Sequence, residues 1–250
     1  MKQSVLLLFV LALAATMAAA AESAPDDASA ALTDFHAKAM AAWEKLDGYL
    51  ANTVIQERVK GKLREPEKIR SLYLKSPVRM YCLWQPGGSY AGLQIAFTPA
   101  KDGANYFRAL EGGMAGLAGP LRVALDSYLI EKFYPHHYLV NQYNEGHLLQ
   151  ESSVQMRKAG LVGKNHVTDA GVAADAIPGR RLHMFDIEMS DNPADGMKFR
   201  RSIFGYDEPT GLLLFIENYD FKNQLAESYK FMTITVNPTA TDADFELKRL

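Results

Sequence analysis

The last quarter of the chain constrains its fold most. Residues 199–206, 212–219 and 225–236 are extended runs rich in β-branched and aromatic side chains, and they are separated only by Asp207-Glu208-Pro209-Thr210-Gly211 and by residues 220–224. Strands joined by turns this short pair antiparallel with their neighbours. Gly211 is placed for the positive φ that closes the first turn, and Asp207 for accepting the turn's N–H groups. A sheet built this way carries a large apolar face, and something has to cover it.

The first half repeats the pattern. Tyr49, Ala51, Thr53 and Ile55 alternate with polar neighbours across residues 49–59, Lys60-Gly61-Lys62 turns, and residues 67–74 return. Ser76-Pro77 ends that run. Residues 78–84, 92–97 and 106–110 read as three further strands with glycine-containing turns between them, so five strands form a meander. Residues 180–189 add a strand in the second half, with His183, Phe185, Ile187 and Met189 on one face.

Two segments carry helical spacing. In residues 28–46, Leu32, Phe35, Ala39, Ala42, Trp43 and Leu46 recur every three or four positions and Gly48 supplies a stop. Residues 135–158 read as a second helix, opened by Pro135, ended by Arg157, Lys158 and Gly160, and interrupted by Gly146. Between the halves, residues 111–120 hold four glycines among Met114, Ala115, Leu117 and Ala118. That stretch reads equally as a lid over a groove and as an ordinary loop.

The N-terminus is built like an export signal. Lys2 precedes an apolar run over residues 5–15, and Ala18-Ala19-Ala20 offers small residues for cleavage that leaves Ala21 or Glu22 first. Residues 1–21 are therefore expected to be a signal peptide and residues 22–250 a single domain, with no transmembrane anchor after cleavage. The one thiol, Cys82, lies among Met80, Tyr81, Leu83 and Trp84, as an inert buried cysteine does. Lysine and arginine total 27 against 29 acids, without a basic stripe, which argues against nucleic acid as a partner.

Signatures of bond chemistry are missing. His136 and His137, with Glu145 and His147, form the densest histidine cluster, but adjacent helical residues point about 100° apart and no His-Glu-x-x-His spacing occurs. No metal and no cofactor are expected. No Gly-x-Ser-x-Gly elbow or phosphate-cradling glycine loop is present. Glu57, Glu188, Glu217 and Glu227 fall in predicted strands, where two of them can converge as an acid and base or all four can face solvent. No catalytic residue is assigned, and the chain is read as a protein that is not an enzyme.

Asp207, Thr210-Gly211, Ile216 to Asp220, Leu225, Glu227, Tyr229, Asn237 and the tail Thr241 to Phe245 resemble a bacterial family, domain of unknown function 1571. Glu57 to Leu63, Leu74 to Pro77 and Tyr81 are similar to the same family's opening hairpin. Members of that family look like periplasmic lipoprotein carriers of the LolA, LolB and RseB type. The resemblance implies an α+β fold, a strongly curved antiparallel sheet forming an unclosed half-barrel with helices plugging its concave face. It also implies a periplasmic location in a Gram-negative-type envelope and no catalytic residues. The chain departs from those carriers in a long glycine-rich insertion, residues 111–125.

Residues and resemblance converge on one expectation. Met80, Trp84, Ile95, Phe97, Phe185, Ile187, Ile216 and Phe231 are the candidate lining of an apolar cavity that takes a lipid or acyl chain, free or on a lipoprotein. The alternative is an envelope sensing or scaffold module that uses the same fold to bind a protein partner. Any one of the eight residues serves equally well as ordinary core beneath the first helix.

Overall fold

A computed structural model describes residues 27–98, 106–111, 119–124, 137, 142, 144–163 and 165–248. The expected signal peptide and residues 112–118 of the glycine-rich stretch lie outside the described residues. Helix α1 (Asp27–Glu44) leads into β1 (Gly48–Val59), a two-residue β2 (Lys62–Leu63), β3 (Glu67–Lys75), β4 (Val78–Trp84), β5 (Gln94–Phe97), β6 (Tyr106–Leu110) and β7 (Leu121–Ala124). Helix α2 (Glu145–Val162) then precedes β8 (His166–Ala173), β9 (Leu182–Glu188), β10 (Arg201–Asp207), β11 (Leu213–Tyr219) and β12 (Leu225–Val236).

All twelve strands join one antiparallel sheet in the order β7-β6-β5-β4-β3-β1-β12-β11-β10-β9-β8, with β2 paired to β1. The sheet is two meanders fused at their inner strands: β1 closes the first and β12 the second, and they pair from Tyr49↔Val236 to Glu57↔Glu227. The ends of the sheet do not meet, so the fold is α+β with an open, curved sheet. Register shifts at Asn52/Thr53, Gly205/Tyr206, Asn218/Tyr219 and Asp169/Gly171 add local bend and twist.

The two described α-helices cover the same face. The stripe read from the sequence is the buried side of α1, where Leu32, Ala39 and Trp43 are enclosed. Trp43 stacks on Tyr73 at 5.6 Å, while Phe35 meets His183 at 4.4 Å and Phe185 at 5.4 Å, so one helix spans both meanders. Lys75 Nζ caps its last turn, donating to the Trp43 carbonyl at 3.0 Å. Turn 207–211 matches the expectation: Gly211 has φ +73°, its N–H donates to the Asp207 carbonyl at 2.7 Å, and Thr210 Oγ1 donates to the Asp207 carboxylate at 2.5 Å.

The second helix differs from its expected span. It begins at Glu145 rather than at 135, because the Asn144 side chain accepts the His147 N–H at 2.9 Å and starts the helix there. It passes through Gly160 and ends at Gly163, whose φ of 63° closes the last turn onto the Gly160 carbonyl. Gly146, an oddity in a helix, is required by packing: a Cβ there would lie 2.3 Å from the Trp43 ring. Besides the two-residue β2, which falls at the turn after β1, two strands were not expected from the sequence. β7 was hidden in the glycine-rich insertion, and edge strand β8 buries only Val167 deeply, so it lacks the apolar alternation that marks the others.

Candidate functional site

Along β1 every second residue faces the helices, and β12 answers across the register. The inward row runs through the pairs Thr53↔Phe231, Ile55↔Tyr229 and Glu57↔Glu227. Four members of that row, Thr53, Ile55, Tyr229 and Phe231, line a crevice with Ile69, Ser71, Met80, Cys82 and, from α2 above, Leu148. Its free volume is about 20 Å³. That is room for one water, against the roughly 150 Å³ of a cavity that takes benzene. A second hollow of about 10 Å³ lies on the other side of Leu148, among Phe199, Phe204, Ile216 and Asn218. Leu148 thus separates two small spaces between α2 and the sheet.

Helix α2 is held down by a few buried contacts. Among its described side chains, Leu148, Leu149 and Ala159 are the enclosed apolar ones. Ser153 Oγ donates to the Leu149 carbonyl at 3.0 Å, so the His36 Nε2 at 2.6 Å donates to Ser153 and His36 Nδ1 accepts from the Tyr206 hydroxyl at 2.9 Å. Burial lowers His36 to about 4, so the ring is neutral at pH 7. Glu145, in the first turn, accepts the Leu213 N–H at 3.0 Å, and its other oxygen is buried without a hydrogen bond. Burial raises its pKa to about 8, which keeps the carboxyl protonated at neutral pH. Gln155 accepts the Lys198 N–H at 2.8 Å.

The row of apolar pairs ends in charge. Glu57 and Glu227 are 2% and 0% exposed and stand opposite one another. His137 reaches them from the segment between β7 and α2: its Nδ1 is 2.5 Å from Glu227 Oε2, its backbone N–H is 3.3 Å from Glu57 Oε2, and its Nε2 is 3.0 Å from the Arg58 carbonyl. Burial pulls the imidazole down, but the hydrogen bond to Glu227 with the charges of Glu227 and Glu57 outweighs it, and the net shift is upward. The Tyr229 hydroxyl donates to Glu57, Asn218 Nδ2 donates to Glu227 at 2.8 Å, and Ser202 Oγ bonds Asn218 at 2.5 Å. Among the described residues, Glu57, His137 and Glu227 are the group whose donor atoms, all within 4.8 Å of one another, are spaced to hold a metal ion.

The eight residues expected to line a cavity are all buried in one apolar cluster. Met80 and Phe231 border the crevice and Ile216 the second hollow. Trp84, Ile95, Phe97, Phe185 and Ile187 border neither of these two spaces. Phe185, for one, is packed between Phe35 and Tyr206. Leu148, Ile55 and Ile69 went unrecognised as lining because strand faces and helix placement are not written locally. Cys82 is enclosed as expected, and burial pushes its thiol up to about 12. Of the four strand glutamates, Glu57 and Glu227 do converge; His137 joins them rather than Glu145 or His147.

No helix among the described residues is long and apolar enough to cross a membrane. No curated protein matches the chain. Among solved structures it is similar to MucB, at 17% identity over 87% of this chain and a TM-score of 0.48; it spans 63% of the MucB chain. It is also similar to an uncharacterized conserved protein from Thermus thermophilus, at 10% identity over 86% of this chain and 92% of that one, TM-score 0.46. A LolA superfamily protein from Nitrosomonas europaea matches at 12% identity over 86% and 96%, TM-score 0.35. The motifs quoted from β1 to the C-terminal tail fall within residues 46–249, which match the family model described as protein of unknown function DUF1571, and the chain belongs to that family.

Proposed function

We propose that this is a non-enzymatic, exported binding protein of the cell envelope that holds the acyl chains of a lipid or lipoprotein between α2 and the curved sheet. The observation that carries the reading is the crevice under Leu148, apolar on the β1, β3, β4 and β12 side and roofed by a helix with few anchors. Its resting volume is too small for an acyl chain, so uptake requires α2 to lift and expose the row from Thr53↔Phe231 to Ile55↔Tyr229. Each methylene then buried contributes about 0.8 kcal/mol, so a chain of roughly a dozen offsets the apolar packing that Leu148 and Leu149 give up as they leave the sheet. The signal-like N-terminus supports an exported location, and the enclosed Cys82 is compatible with it.

The test is saturable binding of a fluorescent fatty acid, with native mass spectrometry of protein purified from an envelope fraction. Wild type is expected to carry or take up one apolar ligand. Leu148→Trp, which fills the crevice from above, is expected to weaken uptake at least 10-fold while melting cooperatively. Protein that purifies empty and binds no probe defeats the reading. So does a co-purifying protein partner whose retention is unchanged by Leu148→Trp, which would instead mark the fold as a scaffold for protein binding.

A further inference from the structure

We propose that Glu57, Glu227 and His137 form a site for one divalent transition-metal ion of the zinc class at the end of the β1–β12 seam. The three donors come from three places in the chain, and the fold brings them within 4.8 Å of one another. A tetrahedral zinc with bonds of about 2.0 to 2.1 Å needs donor separations of roughly 3.3 Å, which small side-chain rotations supply. Two carboxylates and one imidazole also match the ion's preference for mixed oxygen and nitrogen donors.

Orientation argues for the site more strongly than proximity does. His137 Nε2 faces the Arg58 carbonyl at 3.0 Å, which can only accept, so that nitrogen donates its hydrogen there, and Nδ1 is the nitrogen aimed at the carboxylates; a metal ion takes it by displacing the proton that Nδ1 shares with Glu227. A ligating histidine is held this way, by donation of its other N–H to a carbonyl or carboxylate. The carboxylates are positioned too: Tyr229 donates to Glu57, and Asn218, itself bonded to Ser202, donates to Glu227. Electrostatics agrees. Two carboxylates that are 2% and 0% exposed face each other, and Lys198, 3.9 Å from Glu227, has a side chain more than a third exposed. A dication that displaces the His137 Nδ1 proton stands between two carboxylates and a neutral imidazole and leaves the buried group without net charge.

Zinc titrated into the chelator-stripped full chain, followed by native mass spectrometry and competition with a chromophoric chelator, tests the assignment. One ion per molecule is expected. His137→Ala should weaken it by roughly 100-fold or more, Asn218→Ala, a positioning change, by about 10-fold or more, and His166→Ala, on the exposed edge of the sheet, not at all. His137→Gln keeps a hydrogen-bonding side chain toward Glu227 and should melt like wild type yet lose the metal, which separates ligation from local unfolding. No stoichiometric binding at micromolar zinc, or equal affinity in the His137 variants, overturns the site. These readouts do not depend on whether the trough takes a lipid.

Discussion

Replacing Gly146 with alanine sets two effects of known sign against each other. Helix propensity favours the change by about 1 kcal/mol. The new methyl, however, would meet the rigid Trp43 ring at 2.3 to 2.5 Å, a contact no rotamer relieves. Overpacking of this kind costs about 1 to 3 kcal/mol, so Gly146→Ala is expected to destabilise the protein in urea unfolding. In a Trp43→Leu background the penalty should shrink or reverse. A stabilising Gly146→Ala in wild type would mean that α1 and α2 do not meet there. The sequence showed Gly146 as a flaw in a helix; only the approach of a residue 103 positions away turns it into a requirement.

Docking of α2 depends on two buried groups with opposite responses to pH. Glu145 is raised to about 8 from 4.5, so between those values the unfolded chain has lost a proton that the folded one keeps, and stability falls with rising pH. His36 is lowered to about 4 from 6.5, so between those values the unfolded chain binds the extra proton, and stability falls with falling pH. Each slope reaches about 1.4 kcal/mol per unit. From pH 4.5 to 6.5 the two cancel, and from 6.5 to about 8 Glu145 is the one of the pair that acts, alongside His137, whose upward shift has the same sign. Glu145→Gln keeps an acceptor for the Leu213 N–H and removes the titration. It is expected to reduce the alkaline decline to the part His137 contributes and to unmask a rise from pH 4 to 6.5, measured by urea midpoints from pH 4 to 8. Helix α1 was legible because its stripe has a clean period. Helix α2 was misplaced at its start because the Asn144 side chain caps it, where the pattern alone pointed to Pro135.

At the scale of the molecule, the two meanders are each legible from local turns, but their junction is not. β1 and β12 pair residues as far apart as Tyr49 and Val236, and nothing near either strand announces the other. The same blindness hid the glutamate pair, because a one-residue slip would send Glu57 or Glu227 outward. The junction is central in the sheet and β7 and β8 are its edges, so amide exchange should be slowest in the middle of β1 and β12 and fastest in β7 and β8. Uniform exchange, or protection greatest at an edge, would contradict the fused-meander architecture. The enclosed thiol gives the same molecule an internal clock. Cys82 is 2% exposed and lies on the floor beneath Leu148, so a maleimide reaches it only while the roof is raised. Its alkylation rate under native conditions therefore counts openings: it should quicken when Leu148 is shortened to alanine and slow when an acyl chain occupies the floor. A rate equal to that of global unfolding, indifferent to both, would mean the roof never rises on its own.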